Sequence, residues 1–236
     1  GIMWGHGEGD DPCTDHVAAG PDGKWIYYTG STFQSRHAVF RLHWGEDKGA
    51  GMEAAWIGED MRPGHDDRHL NDPQGLAVDA AGRLFVCDRG NDRVTVYSPG
   101  GDLLGQFPVP NPEQIALHPK TGAIYIVSRQ RRYGGPPKDI GPLSMAAYKR
   151  WKARRAERLA KRPKPDPVAL LKYSPWTPDG DAPQVVARLD QPVDLMALDP
   201  TAAEPAGLWV TIKHRLMPLI DRGKAFELGE AINRAG

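Results

Sequence analysis

The 236-residue chain balances 30 Lys and Arg against 30 Asp and Glu, with 40% hydrophobic and 25% charged residues. That composition supports a buried core and excludes a uniformly basic nucleic-acid binder. No apolar run approaches the roughly 20 residues of a membrane-spanning helix. Glycine (27) and proline (22) are abundant, which suits short strands joined by turns better than long helices.

Two cysteines, Cys13 and Cys87, are too few for a disulfide framework. They fit either one bridge in an exporting system or two small buried thiols. The opening Gly1-Ile2-Met3-Trp4 has none of the basic and apolar character of a signal peptide. The compartment stays open on these grounds, an exported or periplasmic setting being favoured.

Four units of about forty residues follow one another along the chain. The first, over 13–60, offers Val17-Ala18-Ala19, a Pro21-Asp22-Gly23 turn and Trp25 to Tyr28, with AVFRLHW and AAWIGE as outer strands. The second, over 70–109, is the sharpest. Leu76-Ala77-Val78 and Leu84-Phe85-Val86 are short apolar runs, and Arg93 to Tyr97 alternates as a half-buried strand should. Ala81-Gly82, Arg89 to Asp92 and Pro99 to Asp102 supply the turns, and Leu103 to Phe107 can form a fourth strand.

The third unit, over 110–190, opens with Ile115 to Leu117 and Ile124 to Val127 and delays its outer pair to VALLKYSPW and QVVARLD. An insertion over 134–166 separates the two pairs. Pro142 and Ser144 can start a helix there, Ala146 to Lys161 are mostly strong helix formers, and Pro163 and Pro165 stop it. Its basic side chains, among them Arg150, Lys152, Arg154, Arg155 and Arg158, could grip phosphate or an acidic partner; otherwise they form a solvated face. The fourth unit, over 191–232, runs from QPVDLMALDP through GLWVTIKHR to AFELGE. Ile2 to Trp4 look like the tail of an outer strand. Either the chain is a sector of a larger ring, which is favoured, or these residues complete the last unit and close a small one.

The run GLAVDAAGRLFVCDRGNDRVTVYSPGGDLL, with its proline lead-in, resembles the NHL repeat over Asn71 to Phe107. The resemblance implies an all-β fold, a β-propeller of four-stranded blades about one axis, commonly six-bladed. The architecture expected is therefore four visible blades of a larger ring, with one basic helical insertion in the third.

In such a ring the first residues of each innermost strand converge on the channel. Those positions carry Asp15, His16, Gln74, Glu113, Gln114 and Asp194. Oxygen ligands from several blades could hold a divalent cation, Ca or Zn, which could polarise a carbonyl or activate water. Lactonases of the gluconolactonase type are similar at the level of the fold and use a channel metal in this general way. The alternative is that these polar groups only solvate the channel mouth. The loops after the second strands carry Asp88, Arg89, Arg129, Arg131, Arg132, Lys213, His214 and Arg215. Together they would make a positive face able to pair with carboxylate or phosphate, although Arg89 could instead brace a neighbouring blade. His65, Asp66, Asp67 and His69 suit an inter-blade loop better than a zinc site.

No nucleophile elbow and no phosphate-binding glycine loop is present. The role expected first is a binding module that presents its loop-rich face to a protein or a small anionic ligand. A divalent-metal-dependent lactonase or lyase using the channel is the alternative. RNA binding ranks third, because net neutrality and the lack of a surface aromatic series argue against nucleic acid.

Overall fold

A computed structural model describes residues 16–29, 37–45, 55–59, 62–129, 169–199 and 207–232. Among the described residues, sixteen strands form four antiparallel sheets, each built from four consecutive strands in simple meander order. The first holds β1 (His16–Ala19), β2 (Trp25–Thr29), β3 (Ala38–His43) and β4 (Ile57–Gly58). The second holds β5 (Pro73–Val78), β6 (Leu84–Asp88), β7 (Arg93–Tyr97) and β8 (Leu103–Pro108). The third holds β9 (Pro112–Leu117), β10 (Ile124–Ser128), β11 (Ala169–Tyr173) and β12 (Val185–Leu189). The fourth holds β13 (Val193–Leu198), β14 (Gly207–Ile212), β15 (Arg215–Asp221) and β16 (Phe226–Leu228).

The innermost strands sit side by side, β1 beside β5, β5 beside β9 and β9 beside β13. Successive sheets therefore turn about a common axis, and the fold is a β-propeller. The basic insertion and Ile2 to Trp4 lie outside the described residues. The last sheet already has its fourth strand from its own stretch, Phe226–Leu228.

Side-chain alternation explains why the sheets stack. Neighbouring residues on a strand point to opposite faces. In β6, Leu84 and Val86 pack toward the first sheet while Phe85 and Cys87 pack toward the third. In β10, Ile124 and Ile126 face the second sheet while Tyr125 and Val127 face the fourth. Both strands are buried along their whole length, so they read in the sequence as unbroken apolar runs. Strand β1 alternates between half-buried and exposed residues because only one of its faces is covered among the described residues. Each of the three seams between consecutive sheets thus has its own apolar cluster. Cys87 is a free, buried thiol in the middle seam, and Cys13 lies outside the described residues.

Two details tighten the axis. A Cβ on Gly75 would come within 2.8 Å of the Glu113 carbonyl oxygen and 2.9 Å of Gln114 Cα, so only glycine lets β5 approach β9 this closely. The strand leads also repeat. Asp72 and Asn111, each just before a proline that opens an inner strand, both adopt left-handed backbone at φ 57° and 43°, which Asp and Asn tolerate better than other side chains.

A buried polar contact closes the seam between the third and fourth sheets. The Tyr125 hydroxyl donates to Asp221 Oδ2 at 2.6 Å, Lys172 Nζ pairs with the same oxygen at 2.6 Å, and the Gly223 N–H donates to Oδ1 at 2.7 Å. Removing the carboxylate leaves a largely buried ammonium without its partner. Asp221→Ala is expected to cost about 3–5 kcal/mol and Tyr125→Phe about 1 kcal/mol, both read from urea denaturation midpoints. Gly75→Ala is expected to cost about 1–3 kcal/mol by overpacking the axis, in the same measurement.

Candidate functional site

The four inner strands all begin at one rim of the axis, and the turns after the second strands open beside them. The sequence offers these as two sets of candidates, and the structure interlocks them. Thr29, the last residue of β2, donates its hydroxyl to the Gln74 carbonyl of the next blade at 2.6 Å. Arg89, just after β6, donates through Nε to Asp72 Oδ2 at 2.8 Å and places Nη1 3.7 Å from Glu113 Oε2 of the next blade. Arg129, just after β10, places Nη1 3.2 Å from Glu113 Oε1. Its Nη2 donates to the Val193 and Asp194 carbonyls of the next blade at 2.7 and 2.9 Å. The same point of three successive blades therefore reaches forward to the lead of the following inner strand.

Glutamine supports the same joint. Gln114 Nε2 donates to the Asp194 carbonyl at 2.8 Å while its Oε1 accepts from the Met196 N–H at 3.1 Å. Gln74 Nε2 donates to Asp72 Oδ1 at 3.1 Å. Among the described rim residues Asp194 has the most open carboxylate, its side chain 41% exposed, with Oδ1 3.9 Å from Arg129. Asp72 is a rim residue, paired with Arg89, that the sequence did not single out. Its signal was the Asx-Pro pair that recurs at Asn111-Pro112.

His16 opens β1 at this rim. Burial, reinforced by the nearby Arg89 charge, holds its imidazole down to about 4, so it is neutral at pH 7. Its Nε2 is buried and has no hydrogen-bond partner among the described residues.

Not every candidate reaches the rim. Asp88 is fully buried rather than displayed on a face. It accepts from the Asn71 N–H, Asn91 Nδ2 and Arg93 Nε, each at 2.7 Å, and burial still pushes its carboxyl above the ordinary range. Arg93 then binds the Asp66 and His69 carbonyls at 2.9 and 3.0 Å. His69 is clasped between Asp66, 2.6 Å from Nδ1, and Glu59, 3.3 Å from Nε2. These contacts pin the loop leading into the second blade, which is the structural role of the histidine-rich segment. Lys213 and His214 form an exposed turn with both residues in left-handed backbone, and Arg215 starts β15 from it. The His214 N–H lies 3.5 Å from Asp194 Oδ2. Asp15, Arg131, Arg132, Arg150, Lys152, Arg154, Arg155 and Arg158 lie outside the described residues.

A channel cation would need several oxygens at about 2.3–2.6 Å from one point. Among the described residues no three His, Cys, Asp or Glu side chains come together in that way. Asp72, Glu113 and Asp194 each face a guanidinium instead. The described donors of the rim do not fit a divalent cation.

The neutral state of His16 has a measurable consequence. Its proton affinity in the fold, about 4, lies below the ordinary 6.5, so between these values the unfolded chain binds a proton that the folded chain refuses. Stability is then complete above the higher value and is lost as pH falls toward the lower one. Unfolding free energy is expected to fall by about 2–3 kcal/mol more in the native protein than in His16→Gln on going from pH 7 to about pH 4.5, measured by urea titration.

Comparison with known proteins agrees with this architecture. The family described as SMP-30/Gluconolactonase/LRE-like region matches residues 13–130, half of the chain. A gluconolactonase from Xanthomonas campestris aligns over 95% of this chain and 63% of its own, at 16% identity and a TM-score of 0.52. A candidate 6-phosphogluconolactonase from Bacteroides uniformis aligns over 93% of this chain and 55% of its own, at 12% identity and a TM-score of 0.56. At these identities the likeness establishes the fold. The chain spans less than two thirds of either structure. Protein wech of Drosophila melanogaster is 48% identical over 40 residues, which is 17% of this chain and 5% of that protein. The matching family shares the propeller that the NHL resemblance implied without specifying NHL repeats: the chain belongs to the SMP-30/Gluconolactonase/LRE-like family.

Proposed function

We propose that this propeller is lactonase-like and takes a lactone or its hydroxy-acid product at the rim where the inner strands begin. The observation that carries this reading is where the family match falls. Residues 13–130 contain His16, Asp72, Gln74, Arg89, Glu113, Gln114 and Arg129, which is all of the interlocked rim except the Asp194 lead. The Xanthomonas protein is itself a gluconolactonase, and that activity is carried to this chain only as part of the proposal. The NHL-like form of Asn71 to Phe107 is read here as a local style of blade within this family.

Hydrolysis of a lactone needs a base for the attacking water and a positive group at the carbonyl oxygen. Asp194 suits the first task because it is the most open carboxylate of the rim. Asp194 takes a proton from the water as its oxygen adds to the carbonyl carbon, the ring C–O bond breaks, that proton passes to the released ring oxygen, and the product is a hydroxy acid whose carboxylate is attracted to the rim arginines. No step in this scheme is assigned to a metal.

One observation favours the other reading, in which the rim binds a small anionic or protein ligand without turning it over. Glu113 faces two guanidiniums, at 3.7 and 3.2 Å, an arrangement that holds charge in place rather than moving protons.

A single assay separates the two. Purified protein is incubated with glucono-1,5-lactone and a panel of other aldonolactones in a pH-stat, with chelator and then with added calcium or zinc. The lactonase reading expects catalysed acid release, reduced roughly 10²–10⁴-fold in Asp194→Asn. Saturable binding of aldonate with no acid release above background would leave the binding module standing and remove the enzyme.

A further inference from the structure

We infer that the positive group at this rim is the Arg89 guanidinium, acting in place of a divalent cation, and that its ligand is a carboxylate. The inference rests on the rim being the ligand site and says which chemistry recognises the ligand there.

Arg89 is held by one end only. Its Nε is committed to Asp72 at 2.8 Å, while Nη1 and Nη2 make no hydrogen bond among the described residues, and Nη1 stands 3.7 Å from Glu113 Oε2. The side chain is 12% exposed. A guanidinium fixed in place, mostly desolvated and left with its terminal fork unfilled, is matched to a planar pair of oxygens. Arg129 is not equivalent. Both of its Nη2 hydrogen bonds go to backbone carbonyls of the next blade and its Nη1 pairs with Glu113 at 3.2 Å, so it clamps the blades together while Arg89 is the one left to receive a ligand.

Two further features suit an oxyanion. The buried Nε2 of His16, also without a hydrogen-bond partner, lies where the Arg89 charge is felt, and its N–H tautomer is a second donor. Glu113 stands 3.7 Å from Nη1, beyond hydrogen-bond length, so the terminal N–H groups stay available to an oxyanion in a place of low dielectric where charge acts strongly. A metal brought to this point would meet the guanidinium and be repelled. An oxyanion would not.

The test is calorimetric titration of the full chain with sodium gluconate, inorganic phosphate, calcium chloride and zinc chloride, paired with thermal melting of each variant. Gluconate is expected to bind saturably with chelator present, to weaken as salt rises, and to bind more tightly than phosphate. Arg89→Met should weaken gluconate at least tenfold. Arg89→Lys should recover part of that loss, since it restores charge without the fork. Arg222→Met, in the exposed turn after β15 and away from the rim, serves as the control for loss of a positive charge and should retain the binding. Gluconate affinity unchanged in Arg89→Met overturns the inference, and so does failure of both anions to bind. Saturable calcium or zinc binding that raises the melting temperature and vanishes in Glu113→Gln overturns it as well. Phosphate bound more tightly than gluconate would sink the assignment to a carboxylate. Gluconate binding through Arg89 without lactone hydrolysis would sink the enzyme and leave this inference intact, whereas hydrolysis undiminished in Arg89→Met would do the reverse.

Discussion

The close approach of neighbouring inner strands at the axis is the constraint on which the rest of this molecule depends. Gly75 allows β5 to lie against the backbone of Glu113 and Gln114. Thr29, Arg89 and Arg129 then reach across from one blade to the next. Apolar packing in the three seams provides the non-directional attraction between sheets. It does not by itself choose an angle or a register between them. The polar joints do, because a hydrogen bond or an ion pair is satisfied at only one geometry. The same joints set out the candidate rim, so the packing of the blades and the placement of these side chains are one arrangement.

Charge at the rim follows from this. Glu113 is buried, and a buried carboxylate must be paired or protonated. Two arginines from successive blades supply the pairing. Arg129 spends its remaining capacity on the backbone of the fourth sheet, while Arg89 does not. His16 is neutral because a second positive charge in that confined space would be opposed by burial and by Arg89 together. Among the described residues the rim leaves a guanidinium with free terminal N–H groups on Arg89, a buried imidazole nitrogen on His16 and a half-exposed carboxylate on Asp194.

The outer faces of the two terminal sheets carry a different message. Val17 is 64% exposed on the first, and Leu195 and Trp209 are 58% and 39% exposed on the last. They occupy strand positions that in the middle sheets are buried against a neighbour. The similar solved structures extend well past the part that this chain matches, which covers 63% and 55% of their lengths. Apolar side chains on a sheet face are the usual material of a seam, and here they lie at the two ends of the stack.

The sequence by itself determined the meander and its repeat. Unbroken runs such as Leu84 to Cys87 and Ile124 to Val127 announce strands buried on both sides, and the glycine-rich turns between them fix strand lengths to within a residue or two. Periodicity is a local property, so it survives without knowledge of the neighbours. It also placed His16, Gln74, Glu113, Gln114 and Asp194 at strand leads, and Arg89 and Arg129 in the turns beside them. Tertiary structure alone decided what those residues do. That Glu113 would face arginines instead of a cation depends on contacts that an inner strand makes with the turns after β6 and β10, 24 and 16 residues away, and no spacing rule encodes the direction of a side chain. Asp88 looked like a surface group in an Asp-Arg-Gly-Asn turn, yet it is buried because the loop carrying Asn71 folds over it. Asp72 went unnoticed for the matching reason: a loop residue becomes part of a site only when the next blade is set against it.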